Sequence, residues 1–252
     1  MLFMRINNKT IFIREQDLQR FKSSIFLFGP RMTGKSHLLE RLPAALRIDL
    51  LDIDTEVELR ANPRFFWEQL LAVERDGRVI IDEIQKIPQL LSYVHKAIEN
   101  LGLTFVLSGS SARKLKRSSA DMLAGRALDL RLFPLTLHEI DGRLPLEKIL
   151  TFGSLPKISS LVSEQNESEA KRILRTYYSV YIKEEIQAEA LTRNLAAFQR
   201  FLPVAAQANA QMIEYQNISR ECAVPASTVK EYFQILEDTL IGFFLWPWDR
   251  SE

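Results

Sequence analysis

Lys35 and Ser36 close an eight-residue run, Gly29, Pro30, Arg31, Met32, Thr33, Gly34, Lys35 and Ser36, in which the second glycine is followed at once by an ammonium and a hydroxyl. The spacing, G-x-x-x-x-G-K-[ST], is what a backbone needs to wrap around a phosphate. Glycines let the main chain come close, successive N–H groups turn inward toward phosphate oxygens, and the helix that follows presents its positive end. In such a loop Lys35 reaches the β- and γ-phosphates and Ser36 offers its hydroxyl to Mg²⁺, while Pro30, Arg31, Met32, Thr33 and His37 line the cradle. The competing reading is a glycine turn that binds nothing.

A second group of candidate residues stands further on. "RVIIDEIQKIP" is an apolar run ending in Asp82 and Glu83. Asp82 is expected to face the magnesium, directly or through water, and Glu83 to orient and deprotonate a water for attack on the γ-phosphate. A phosphotransferase has less need of such a base, so the pair favours hydrolysis; a helix-start carboxylate is the plain alternative for Glu83. In "FVLSGSSARKLKR", Ser108 and Ser110 end another apolar run, either as contacts to the γ-phosphate or the attacking water, or as ordinary turn-formers.

These residues need a scaffold that brings strand ends together. "SIFLF" (24–28), "LRIDLLDI" (46–53), "RVIIDE" (78–83), "TFVLSGS" (104–110) and "ALDLRLF" (127–133) read as strands. Between them, "NPRFFWEQLLAVER" reads as a helix with Asn62 as N-cap and Pro63 at its first position. "PQLLSYVHKAIENLG" reads as a second, with Leu90, Val94, Ala97 or Ile98, and Leu101 on one stripe and Gly102 ending it. Strands alternating with helices predict an α/β fold, a P-loop type parallel sheet with helices on both faces, over residues 1–142. From 143 to 252 the pattern turns mostly helical: "EAKRILRTYYSVYIKEEIQAEAL", with Ile173, Tyr177, Val180 or Tyr181, and Ile186 near one face; "LAAFQRFLPVAAQANAQ", which Pro203 should kink or break; and "NISRECAVPASTVKEYFQILEDTL", a helix, tight turn and helix. "DGRLP" supplies turn chemistry at the boundary.

Thirty-three basic against 32 acidic residues in 252 argue against a surface built throughout for nucleic acid, though a local basic patch fits that balance. No apolar run has the 18 or so residues of a membrane helix, and "MLFMRINNKTIF" is no secretory signal. The single Cys222 excludes an intrachain disulfide framework, and His37, His95 and His138 have no metal-ligand spacing. The expectation is a cytoplasmic protein with no membrane partner and no metal beyond a nucleotide's Mg²⁺.

With "GPRMTGKSHLL", "VIIDEIQKIPQLL", "LSGSSARKL" and "LAGRALDLRLFPLTLHEI" in this order, and "TFGSLPKI" and "TVKEYFQILEDTLIGFFLWPW" after them, the chain resembles bacterial and archaeal AAA-type P-loop ATPases of the AAA_14 plus DUF4143 arrangement. The resemblance implies Walker A roles for Lys35 and Ser36, Walker B roles for Asp82 and Glu83, and the sensor position for Ser108 or Ser110. It implies an arginine finger at Arg126, acting in trans within a homo-oligomer; a surface arginine is the alternative. A second sensor arginine is not identifiable, with Arg172 and Arg175 the nearest candidates. Relatives of this kind continue into a third, nuclease-like segment, so a chain ending at Glu252 is expected to be truncated. A strand of Ile241, Phe243, Phe244, Leu245, Trp246 and Trp248 would then need a cover.

Two features bear on DNA as a partner. The helix-turn-helix, with Ile218, Cys222, Val224, Val229 and Phe233 as core positions, fits a winged helix. Its second helix, however, carries Lys230 against Glu231, Glu237 and Asp238, a poor surface for phosphates, so a packing module riding on the ATPase is favoured. The stretch 112–131 carries Arg113, Lys114, Lys116, Arg117, Arg126 and Arg131 against Asp121 and Asp129; it could face DNA, another subunit, the triphosphate, or only solvent. The expected function is Mg²⁺-dependent ATP hydrolysis coupled to movement of the C-terminal lobe. The alternative is a nucleotide-gated regulatory or DNA-associated switch that binds ATP with little turnover. No guanine-reading N-K-x-D is present to separate GTP from ATP.

Overall fold

A computed structural model describes residues 5–6, 9–10, 12–110, 123, 125–181 and 194–248. It divides into two compact units, Met1–Arg175 and Thr176–Glu252.

The first unit is organised by a five-stranded parallel sheet. A short antiparallel pair, β1 (Arg5–Ile6) and β2 (Lys9–Thr10), precedes it. The sheet strands are β3 (Ser24–Phe28), β4 (Leu46–Asp49), β5 (Arg78–Asp82), β6 (Thr104–Gly109) and β7 (Ala127–Arg131), in the order β4-β5-β6-β3-β7. Ile25, Leu27, Ile80 and Val106 share a core with Leu39, Leu42 and Leu132. Their strand neighbours Phe26, Phe28, Val79, Ile81, Phe105 and Leu107 are buried as well. Both faces of the central strands are therefore covered, which is why they read as unbroken apolar runs.

Helices α1 (Lys35–Glu40), α2 (Ile53–Ala61), α3 (Pro63–Leu71) and α4 (Leu90–Leu101) connect the strands. β4 stops at Asp49, short of the expected Ile53. Asp49 accepts the Leu51 N–H at 2.8 Å, and Asp52 caps α2 by accepting the Thr55 N–H at 2.9 Å. Asn62 stands at the N-cap of α3 as expected, but its side chain makes no capping bond; its own N–H closes α2 on the Glu58 carbonyl at 2.8 Å. Gly102 ends α4 in the left-handed conformation, φ 67°.

After β7 come α5 (Leu137–Ile140), α6 (Leu146–Phe152), α7 (Pro156–Ser163) and α8 (Glu167–Thr176). Thr136 and Glu139 form a reciprocal capping box at α5. Phe152, Ile158, Val162 and Ala170 share one core with Phe12, Leu135, Ile140 and Leu144, so these helices pack within the first unit. α8 continues as a π-helical turn over Tyr177–Tyr181. Ile186 lies outside the described residues.

The second unit contains α9 (Leu195–Gln207), α10 (Tyr215–Cys222) and α11 (Ala226–Asp238). Phe198, Phe201, Ile218, Cys222, Val229, Tyr232 and Ile235 form its core; Val224 and Phe233 are partly buried against it. α9 runs unbroken through Pro203, its packed residues Phe198, Phe201 and Leu202 holding it across the missing donor. Ala223, left-handed at φ 53°, makes the tight turn between α10 and α11. The strand expected over Ile241–Trp248 does not form: residues 242–248 are irregular, and Phe243, Leu245, Trp246 and Trp248 are exposed. Among the described residues of this unit there is no strand to pair with.

Candidate functional site

Register places the candidate residues. Leu27 pairs with Ser108, Phe28 with Gly109 and with Arg131, and Ile81 with Leu107. The carboxyl ends of β3, β5 and β6 therefore lie side by side, next to the point where the strand order changes direction, which is where open α/β sheets bind ligands.

The loop leaves β3 at Gly29, whose N–H donates to the Gly109 carbonyl at 3.2 Å. A Cβ on Gly29 would stand 2.3 Å from the Leu132 carbonyl oxygen, so no larger residue fits. Pro30 is buried, Arg31 is half-buried, and the buried Thr33 hydroxyl donates to the Pro30 carbonyl at 2.8 Å. Met32 and Gly34 both turn left-handed, at φ 66° and 90°. Lys35 opens α1 and is buried, its ammonium folded back to donate to the carbonyls of Gly29 at 2.7 Å and Pro30 at 3.2 Å. Ser36 is exposed. His37 is exposed too, its ring 3.6 Å from the Glu40 carboxylate one turn along the helix.

At the end of β5, Asp82 is buried and accepts the hydroxyl proton of Ser108, while Ser108 Oγ accepts the Glu83 N–H at 3.2 Å. Glu83 itself is left-handed at φ 60°, a conformation that costs a non-glycine residue about 1–2 kcal/mol. That bend turns the chain directly into a 3₁₀ turn, Ile84–Lys86, and buries Ile84 and Gln85. Gln85 Nε2 donates to Glu83 Oε2 at 2.5 Å and to Ser110 Oγ at 3.3 Å. Gln85 is not among the site residues expected from the sequence, where its only signal is an amide two positions after Glu83.

Arg126 is elsewhere. It precedes Ala127, which pairs with Ser24 at the start of β3, so it sits at the amino end of the sheet, roughly 16 Å of strand away from the loop. There it ion-pairs with Glu99 near the end of α4, and its hydrogen bond holds the Glu99 carboxyl below the usual carboxylate range. Arg172 ion-pairs with Glu169 at 3.1 Å. Arg113, Lys114, Lys116, Arg117 and Asp121 of the basic stretch lie outside the described residues.

The donor set fits a polyphosphate and a divalent ion. Gly29 has no room for a Cβ, Lys35 puts a cation over the loop, and Asp82 is a buried carboxylate fixed by a hydroxyl. Lys35 and the loop N–H groups would hold phosphate; Ser36 and Asp82 would hold the ion. Among the described residues, no helix is long and apolar enough to cross a membrane.

The family model of the AAA domain AAA_14 matches residues 22–141, and that of a domain of unknown function, DUF8612, matches residues 144–252. The second part thus carries a different designation from the DUF4143 that the resemblance implied. Uncharacterized protein Rv2008c of Mycobacterium tuberculosis and uncharacterized protein Mb2031c of Mycobacterium bovis are each 24% identical over 228 residues, 89% of this chain and 50% of theirs. The chain spans about half the length of these curated relatives. Among solved structures, the replication initiator DnaA bound to AMPPCP and single-stranded DNA is 13% identical, with a TM-score of 0.43 over 88% of this chain and 84% of that one. The ORC1 protein of Aeropyrum pernix in complex with DNA is 11% identical, with a TM-score of 0.39 over 87% and 78%. Residues 22–141, which hold the five-stranded parallel sheet and the glycine-rich loop, are thus similar to the AAA domain family AAA_14, and residues 144–252 to DUF8612.

Proposed function

We propose that the protein binds ATP at Gly29–Ser36 and hydrolyses it with Mg²⁺, using Glu83 as the general base. The observation that carries this reading is the joining of Asp82, Glu83 and Ser108 at one strand end beside the loop that Lys35 covers. Glu83 takes a proton from a water as its oxygen attacks the γ-phosphorus; the bond from that phosphorus to the β-bridging oxygen breaks, leaving ADP and phosphate. Lys35 stabilises negative charge on the phosphate oxygens, and Ser108 holds Asp82 and the Glu83 backbone in register. Ser36 and Asp82 would hold Mg²⁺, which would supply neutralisation of phosphate charge.

The position of Arg126 at the far end of the sheet supports a finger offered to a neighbouring copy, within a homo-oligomer formed through that face. Division of the chain into two units supports coupling of hydrolysis to movement of the C-terminal lobe. The helix-turn-helix supports a winged-helix relationship for that lobe only in its helical part.

The test is ATP turnover per subunit across a range of protein concentrations, with Glu83→Gln alongside. Turnover that rises with concentration and disappears in Glu83→Gln supports a hydrolase completed between subunits. Tight ATP binding with negligible turnover in both proteins replaces it with the nucleotide-gated switch.

A further inference from the structure

Gln85 is only 9% exposed, and one side-chain nitrogen serves two oxygens from different strand ends: Glu83 Oε2 at 2.5 Å and Ser110 Oγ at 3.3 Å. Its Oε1 is buried with no hydrogen-bond partner among the described residues. That oxygen is packed against Gly109, where an added Cβ would lie 2.6 Å from it. A primary amide is the side chain that suits this place. Its nitrogen is a neutral donor that a carboxylate can accept without a competing charge. The contact also sets which end of the amide faces Glu83, because reversing it would put oxygen against carboxylate oxygen. A glutamine left with a buried unsatisfied acceptor costs stability, and such costs are met where a specific geometry is being held.

From this geometry we infer that Gln85 is the positioning residue for Glu83, locking the carboxylate of the base to the end of β6 through Ser110. The inference deepens the hydrolytic reading and rests on it. Glu83 is then fixed three ways: by its left-handed backbone, by its N–H on Ser108, and by its side chain on Gln85. Ser108 and Ser110 have separate duties, the first on Asp82 and the Glu83 backbone, the second on the amide that holds the Glu83 side chain. Gly109, between them, leaves room for the amide.

The test uses Gln85→Met, which keeps the length and burial but removes the donor. In the protein alone, the Gln85 side-chain amide pair is identified in a ¹⁵N–¹H spectrum by its absence from Gln85→Met. That pair is expected to move in Glu83→Ala and in Ser110→Ala. With ATP and Mg²⁺, Gln85→Met is expected to lower kcat by about 10- to 100-fold, the scale of a misplaced reacting group, while the ATP concentration for half-saturation changes by less than about threefold. Gly109→Ala, which displaces the amide, is expected to reproduce the fall in kcat. An amide pair indifferent to Glu83→Ala, or unchanged kcat in Gln85→Met beside an active wild type, overturns the inference alone. Absence of turnover in the wild type overturns the hydrolytic reading and this inference together.

Discussion

The Lys86 ammonium lies 2.5 Å from Glu56 Oε2 and also donates to the Leu50 carbonyl at 2.8 Å. Arg60 closes the arrangement, reaching Glu56 Oε1 at 2.7 Å and the Lys86 carbonyl at 2.8 Å. One carboxylate on α2 thereby ties down the 3₁₀ turn that follows Glu83, so a charge cluster outside the loop fixes the route by which the chain leaves the candidate base.

Hydrogen bonds from Lys86 and then Arg60 hold the Glu56 carboxyl below the usual carboxylate range. A carboxylate that binds its proton less readily folded than unfolded contributes stability that is complete above the ordinary Glu value and is lost as pH falls through the lowered folded value. Both side chains of the Lys86 pair keep some solvent contact, at 31% and 22% exposure, so the effect is modest. Glu56→Gln should lower Tm by about 2 °C at neutral pH. That gap should narrow as pH drops below about 4.3, which thermal melts of both proteins across the acid range will check.

Gly29→Ala should abolish binding of a fluorescent ATP analogue and lower Tm, because its Cβ would sit 2.3 Å from a backbone oxygen that cannot swing aside. Gly242→Ala is the matched control: its Cβ meets only Leu236 Cβ, at 3.8 Å, so binding should be unchanged and Tm should stay within about 1 °C.

The placement of Arg126 makes a complementation experiment decisive. Arg126→Ala and Glu83→Gln should each be inactive alone. Mixed, they should recover turnover, because a site built from the Glu83 of one copy and the Arg126 of the other is intact. If Arg126→Ala alone keeps the turnover of the wild type, Arg126 is a surface partner of Glu99 and nothing more.

Much of this was legible in the sequence, for identifiable reasons. β3, β5 and β6 are buried on both faces, so their apolar runs have clear ends, and the loop was readable because its spacing is itself the chemistry. α2 was not, since Ile53 and Val57 face solvent and leave no apolar stripe. β4 was overextended because two aspartates redirect backbone N–H groups that a hydropathy pattern treats as strand. At the site, residue types could not divide Ser108 from Ser110. They point to the same side of β6, and only the register against β5 and the bend at Glu83 gives one to Asp82 and the other to Gln85. The expected strand over Ile241–Trp248 had the right composition but no neighbouring ladder among the described residues, and β-propensity expresses packing against a partner.

Cys222 is fully buried in the second unit, and burial raises its thiol above the ordinary value. Both effects suppress the thiolate that reacts. The native protein should be inert to a chromogenic disulfide over minutes, and should titrate one equivalent per chain once unfolded in denaturant, since it has a single cysteine.

The second unit's stability should depend on one ring above the others. Phe201 is fully buried and meets Phe198 at 5.5 Å, Tyr232 at 5.3 Å and Phe233 at 4.9 Å, the last edge-on at 90°. It therefore joins α9 to α11 through two aromatic contacts, with Tyr232 and Phe233, and packs against Phe198 of its own helix as well. Truncating such a ring costs about 3–5 kcal/mol, a large part of what a small domain has. Every residue of that core lies within Thr176–Glu252, so the loss should fall on this unit first. Phe201→Ala should show an early helical transition by circular dichroism and exposure of the buried Cys222 to thiol reagent, while ATP-analogue binding to Gly29–Ser36 persists at that temperature. A single transition that removes binding and helicity together would mean that the two units unfold as one.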